Sequence, residues 1–485
     1  MPRGRRGVVR GAGRGAGRGR GRVNGGQAVR QPEQENRPNT RGQKRNADEL
    51  EPEVPELHAE GPQADIDGGG NVLLQEDAEM KKSNSKLNME NNDNKWNKQA
   101  VPTAHSLKVK TPFKMSPPAQ LGERVRSKCT AYLRSLPKKP IVYPITTNAH
   151  YNLLFCPMCK LASTYWTKFF KMLEVYKENS SIHSPYDIPI SIAKPTKERL
   201  QIIQGTSGTR YDSYYKFMFV RDPYARILSA YVDKLFAPNP TFWKDLCRKI
   251  ITSVRDRSKP HAKCWSDLSF EEYIRAIVTA HRRPAESGMT DCHDASFIGY
   301  CHPCELKMDF IGKMETFSSD SNFLYQKLNL SRTLDTLGRQ GKQLADEDAL
   351  LDTVISPFKW KNDIKKCIPW HEALQRIWRK LQIRGVIGKE QLPLTAEQAE
   401  KISQQEFIDL IKKTQENTSY SERKQQRTEA LIEIYSHVKM EYLHQLKVSY
   451  KNDFDFFEYE DTPANIFNIN RKDIQYYGYL DLGQK

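Results

Sequence analysis

Two short apolar runs constrain this chain more than any other feature, because each leads through a polar loop into a helix-spaced apolar stripe. The first run, Asn152–Phe155, has the length of a buried strand. It passes through residues 156–162 to Ser163 and Thr164, either of which can cap a helix whose apolar face is Trp166, Phe169, Phe170 and Leu173. The second run, Phe217–Val220, leads into Arg221, then Asp222 as an N-cap and Pro223 at the first helical position. Tyr224, Ile227, Leu228, Tyr231 and Leu235 form the stripe that follows. Strand–loop–helix units of this kind build α/β folds, so the expectation is a mostly parallel sheet flanked by helices.

Each loop is suited to an anion. A loop that feeds a helix N-terminus presents backbone N–H groups without intrahelical partners, at the positive end of the helix dipole. In the first unit Lys160 adds a mobile charge, and Ser163 and Thr164 add hydroxyl donors. No glycine-rich run is present, so this is not a Walker A loop. In the second unit Arg221 stands at the strand end, with Arg226 and Ser229 three residues apart on the helix. The plainer reading makes Arg221 and Asp222 an ordinary capping pair.

Charge divides the chain. Residues 1–46 hold 13 Arg or Lys against 2 Glu, residues 47–80 hold 11 Asp or Glu and no Lys or Arg, and the two balances cancel. The net charge of +17 therefore sits in residues 81–485 and favours anionic partners. The expected organisation is a disordered Gly/Arg-rich tail (1–46), a disordered acidic and then Lys/Asn-rich linker (47–119), a folded body (120–460) and a C-terminal tail (461–485). The Gly/Arg repeats are a candidate RNA-binding segment through phosphate contacts and guanidinium stacking, or else a solvated tail. Residues 390–450 read as helix, with apolar positions such as Phe407, Ile411, Ile434 and Val438 at three-to-four spacing. No stretch has the roughly 18–20 apolar residues a membrane helix needs, and no signal peptide opens the chain.

Taken together, Lys160–Trp166 resembles the 5′-phosphosulfate loop of the Golgi carbohydrate sulfotransferases, and Phe219–Tyr231 resembles their 3′-phosphate motif. The group with the chondroitin and dermatan 4-O-sulfotransferases is the most similar. Two further blocks are similar in order and spacing: His293 with Cys301–Cys304 and Asp309–Glu315, and the aromatic block Tyr450–Tyr459. The chain departs from the family pattern at Cys159, Tyr165 and Asp294, and residues 316–450 are long enough to predict an insertion near 355–395.

The resemblance implies a P-loop-like sulfotransferase fold and transfer of a sulfuryl group from the co-substrate 3′-phosphoadenylyl sulfate to a glycan hydroxyl, on a chondroitin- or dermatan-like or other N-acetylgalactosamine-containing acceptor. It implies donor contacts from Cys159, Lys160, Leu161, Ala162, Ser163, Thr164 and Tyr165 in one loop, and from Arg221, Asp222, Pro223, Arg226 and Ser229 in the other. Lys160 is the implied catalytic residue, stabilising charge on the bridging oxygen of the leaving group, and no metal is required. His293 and His183 are the candidate bases for the acceptor hydroxyl. The resemblance also implies Golgi residence, although no signal-anchor helix is visible. The rival reading is an RNA-binding protein with a catalytically inactive sulfotransferase-like body.

The nine cysteines allow several readings. Cys156 and Cys159 have the spacing of a redox dithiol before a helix. With Cys301 and Cys304 they could form a zinc site, at a separation far from finger spacing. In an oxidising lumen they form disulfides, and an odd number leaves at least one thiol over. Sequons stand at Asn179, Asn329 and Asn417.

Overall fold

The computed structural model describes residues 118–175, 181–189, 191–193, 197–282, 292–470 and 474–482. All of them belong to one compact unit, Leu107–Lys485. The Gly/Arg tail with its RNA-binding reading, most of the linker, and Asn179 lie outside the described residues.

A five-stranded sheet is formed by β1 (Pro140–Asn148), β2 (Leu153–Phe155), β3 (Lys197–Ile203), β4 (Tyr215–Val220) and β5 (Phe310–Lys313), in the order β3-β1-β2-β4-β5. Strands β2, β4 and β5 run parallel, with Phe155 opposite Phe217 and Phe217 opposite Phe310. Strand β1 is antiparallel to both β2 and β3. Four of the five strands therefore run the same way and β1 alone is reversed, so the sheet is mostly parallel, as the sequence predicted, with one antiparallel strand between β3 and β2. Residues 149–152 join β1 to β2 by a turn with Asn152 in the left-handed region (φ 46°), and a connection this short cannot cross over to a parallel partner.

Helices surround the sheet: α1 (Pro118–Ser135), α2 (Ser163–Val175), α3 (Pro223–Ala230), α4 (Phe270–Arg282), α5 (Ser331–Lys359), α6 (Trp370–Ile383), α7 (Gln404–Glu416), α8 (Tyr420–Ser436) and α9 (Met440–Ser449). The helical stretch expected over 390–450 is cut into pieces by capping boxes at Thr395, Ser403 and Ser419, each paired with a Gln or Glu three residues on.

Two hydrophobic cores result. The sheet core gathers Phe155, Trp166, Phe169, Phe217 and Phe219, with the Trp166 and Phe219 rings 4.8 Å apart. The helical core gathers Tyr224, Ile227, Trp243, Trp370 and Ile377, all fully buried. Val220 belongs to the sheet core and Tyr224 to the helical core, so residues 221–223 lead from one to the other. Residues within the insertion predicted near 355–395 pack into the larger core, Trp370, Leu374 and Ile377 among them. The segment set apart as a C-terminal tail also contributes, through Ile466 and Tyr479. The Glu433 carboxylate accepts the backbone N–H groups of Tyr477, Gly478 and Tyr479 and fixes that segment to α8.

Four disulfides join Cys129–Cys304, Cys156–Cys301, Cys159–Cys292 and Cys264–Cys367, leaving Cys247 as a buried thiol. Cys156 and Cys159 are bonded to different partners, which overturns the dithiol reading. The zinc reading falls for the same reason: its four sulfurs are all spent in disulfides.

Candidate active site

Strands β2 and β4 are parallel neighbours, so their C-terminal ends open on the same edge of the sheet. Ligands in open α/β sheets collect at such edges. The loop after β2 carries Lys160 and the turn after β4 carries Arg221, which brings the two predicted anion loops together.

The first loop is conformationally unusual. Lys160 (φ 66°) and Ala162 (φ 54°) are both left-handed, a costly backbone for residues with a side chain. Alternating left- and right-handed residues turn successive N–H groups toward one concavity, a geometry suited to a phosphate. Helix α2 begins directly at Ser163, whose hydroxyl, like that of Thr164, makes no hydrogen bond among the described residues. Both side chains are half-buried. Leu161 points into the sheet core and is 1% exposed, so it can serve an anion only through its backbone.

Tyr165 does not face the loop. Its ring is buried against Tyr186 and Phe317, and its hydroxyl bonds to that of Tyr325. The larger residue at this position is absorbed by the core, so the expected side-chain contact with the donor is corrected. The Cys159 side chain is likewise committed, bonded to Cys292.

The second loop follows the sequence closely. Asp222 caps α3 by accepting the Ala225 N–H at 2.8 Å, and Pro223 is the first helical residue. Burial and the nearby Glu315 push the Asp222 carboxyl up to about 6, against the pull of the Ala225 N–H and of Arg221. Arg221 is half-buried, and its guanidinium makes no hydrogen bond or ion pair among the described residues. Ser229, in the last turn of α3 and half-buried, also has a hydroxyl without a hydrogen bond among the described residues. A half-buried guanidinium with unused donors at the start of α3 and an unused hydroxyl further along it are suited to an anion.

Arg226 departs from expectation. It is fully buried, and its two terminal nitrogens donate to the carbonyls of Cys292, His293 and Ala295 while its face lies on the Phe297 ring, 4.8 Å from its centroid. Those bonds commit it to holding the segment 292–295 rather than to an anion. Pro223 is buried and acts through the backbone it shapes.

Residues outside the two motifs complete the edge. Glu315, just beyond β5, accepts the Asp222 N–H and the Tyr459 hydroxyl, each at 2.9 Å. Lys313 lies over the Tyr459 ring, 4.1 Å from the centroid. Both Glu315 and Tyr459 belong to blocks visible in the sequence, but their pairing is a tertiary fact.

The Lys160 ammonium donates to Asp233 Oδ2 at 2.6 Å. Asp233 lies in a widened, π-type turn, Tyr231–Phe236, that continues α3. Such turns are concentrated at functional positions. Asp233 Oδ1 accepts Lys380 of α6 at 2.5 Å, and Lys234 stands 3.3 Å from Oδ2. Burial lowers the Lys160 ammonium to about 8, with Asp233 opposing and Lys234 and Arg384 assisting; Asp233 itself is held far below the usual carboxylate range by its lysines. The Arg384 charge acts on Arg221 as well as on Lys160. Sequence reasoning missed Asp233, Lys380 and Arg384, which carry no local signal.

Of the two candidate bases, His293 is tied to the loop by the disulfide between Cys159 and Cys292, with its ring against Phe242. His183 lies in a turn closed by its own backbone N–H to Asp187, and nothing brings it to Lys160. Cys159, Cys292 and His293 form a close group of metal-type donors, but the disulfide removes both sulfurs as thiolate ligands.

The Sulfotransferase family matches residues 143–380 of the chain. Similar curated proteins include carbohydrate sulfotransferase 11 of Mus musculus, 27% identical over 219 residues, which are 43% of this chain and 61% of that protein. Carbohydrate sulfotransferase 9 of Homo sapiens is 28% identical over 41% of this chain and 43% of its own length. Carbohydrate sulfotransferase 10 of Xenopus laevis is 27% identical over 48% of this chain and 67% of its own. No solved structure matches the chain. No helix among the described residues is long and apolar enough to cross a membrane.

Proposed function

Because the chain belongs to the sulfotransferase family, we propose that it transfers a sulfuryl group from 3′-phosphoadenylyl sulfate to a hydroxyl of a glycan. The observation that carries this reading is the pair of anion loops on one sheet edge, with the side chains of Arg221, Ser163, Thr164 and Ser229 uncommitted among the described residues and Lys160 bonded to Asp233. Backbone N–H groups of the 160–164 loop and both hydroxyls hold the 5′-phosphate. Arg221 and Ser229 hold the 3′-phosphate and so select this donor over adenosine phosphosulfate.

The reaction is an in-line displacement in which positioning and charge stabilisation dominate. The acceptor oxygen attacks sulfur as the bond from sulfur to the bridging phosphate oxygen breaks. Lys160 stabilises the charge that develops on that oxygen, and His293 takes the acceptor proton. The chemistry requires Lys160 as a cation and His293 as the neutral imidazole.

The basic balance of residues 81–485 favours an acidic acceptor, and the names of the relatives favour a carbohydrate. A chondroitin- or dermatan-like chain is the first acceptor to test. Four disulfides fit an oxidising compartment, so we place the enzyme in the secretory lumen, in keeping with the Golgi residence implied by the sequence resemblance.

Labelled 3′-phosphoadenylyl sulfate incubated with the full chain and desulfated chondroitin or dermatan tests the reading. Transfer lost in Lys160→Ala and Arg221→Ala, with both variants folded, is the expected result. A folded wild-type protein that does not bind the donor overturns it.

A further inference from the structure

An ion pair needs one lysine for one carboxylate, yet Asp233 receives three. Lys160 is bound at 2.6 Å and Lys380 at 2.5 Å, on opposite oxygens, and Lys234 lies at 3.3 Å. The Lys380 side chain is buried (6% exposed) and rises from α6, a helix of the other core. Asp233 stands four residues beyond Ser229 on the continuation of the same helix. The element that presents the 3′-phosphate serine therefore also carries the anchor of the loop lysine.

This arrangement suits an anion that must give up one partner without becoming a bare buried charge. While Asp233 compensates its charge at 2.6 Å, Lys160 has less of that charge to offer the leaving oxygen. When it moves, Asp233 stays compensated by Lys380 and Lys234. We infer that Asp233 is the positioning residue for Lys160, holding its ammonium at the loop until the phosphosulfate displaces the carboxylate, with Lys380 keeping Asp233 in place. The inference rests on Lys160 acting at the leaving oxygen and adds the residues that orient it. No covalent bond changes in the exchange, and Lys160 keeps its proton throughout.

The groups facing Lys160 set the sign of the pH dependence. Asp233 and Lys234 come from the widened turn, Lys380 reaches it through Asp233, Arg384 adds charge from the end of α6, and His293 is linked through the disulfide. Asp233 is the only anion of this set. Removing it favours the neutral amine, so the basic limb of the rate profile moves to lower pH.

Asp233→Asn alone leaves Lys380 buried without a partner and can fail to fold. The test is therefore the double variant Asp233→Asn with Lys380→Met, which removes both charges at similar volume. The full chain is assayed for transfer across pH 6 to 10, for binding of 3′-phosphoadenosine 5′-phosphate by calorimetry, and for thermal midpoint. The expected result is a folded protein with nucleotide affinity within about threefold of wild type, kcat reduced at least about tenfold, and a basic limb lower by about one pH unit or more. A folded double variant with wild-type kcat and an unmoved limb overturns the inference. Lys160→Ala runs beside it: if that variant keeps its rate, the reading of Lys160 fails, whereas its loss together with an unaffected double variant refutes only the role of Asp233.

Discussion

Cys159 and Cys292 are bonded with their Cα atoms 5.0 Å apart, so the residue before Lys160 and the residue before His293 form one covalent unit. Arg226 grips the same segment from the other side through the carbonyls of Cys292, His293 and Ala295. The proposed leaving-oxygen residue and the proposed base are thereby held in one frame, although 133 positions separate them in the chain.

Opening that frame separates catalysis from stability. Cys159→Ser with Cys292→Ser costs about 2–5 kcal/mol, as does Cys264→Ser with Cys367→Ser, because both disulfides close long loops. Only the first pair is expected to lower kcat beyond what the folded fraction accounts for. Equal specific activity of the two folded variants would refute the link between the loop and His293.

The pH dependence of the wild type follows from Lys160. Its active form is the cation, and burial lowers it to about 8, so kcat/KM for the donor is expected to fall as pH rises through that value. The bound donor brings negative charge and favours the ammonium, so the limb in kcat lies higher. Measuring both limbs between pH 6 and 10 checks this, and limbs that coincide would count against direct contact of Lys160 with the donor.

The Arg221 guanidinium makes no hydrogen bond or ion pair among the described residues, so its removal reads out chiefly on the ligand. Arg221→Ala is expected to weaken 3′-phosphoadenylyl sulfate by about 1.5–3 kcal/mol, roughly ten- to hundredfold in affinity, and Ser229→Ala by about 1 kcal/mol. Adenosine phosphosulfate, which lacks the 3′-phosphate, should bind wild type and variants alike. Calorimetry with both nucleotides distinguishes a phosphate contact from a general disturbance of the edge.

Strand packing under the site leaves no room at Gly312. A methyl group there would stand 2.5 Å from Phe219 Cε1, inside a ring held by Trp166, Phe310 and Phe317. Gly312→Ala is expected to destabilise by about 1–3 kcal/mol. Gly338→Ala in α5 meets nothing within 4 Å and is expected to stabilise by about 0.5–1 kcal/mol. Urea midpoints of the two variants should move in opposite directions.

Much of the site was legible because local chemistry wrote it. The N-cap Asp222, the N1 proline and both apolar stripes are properties of a few neighbouring residues, and the structure keeps each of them. Arg226 and Tyr165 were misassigned for a different reason. Position in a motif does not say which way a long side chain turns, and burial sent both into contacts with distant segments. Asp233 and Lys380 left no trace, since their pairing spans 147 positions. The antiparallel β1 was readable in principle from the short connection before Leu153, which admits no crossover.

Three of the disulfides tie residues 129–159 to residues 292–304. During synthesis, Cys129, Cys156 and Cys159 emerge long before any native partner exists, while later cysteines such as Cys247 and Cys264 appear first. The order of translation therefore offers wrong pairings before right ones. The loop around Lys160 cannot be locked until more than half of the chain has left the ribosome, which makes disulfide isomerisation a step in building this protein and a reducing expression host a poor place to make it.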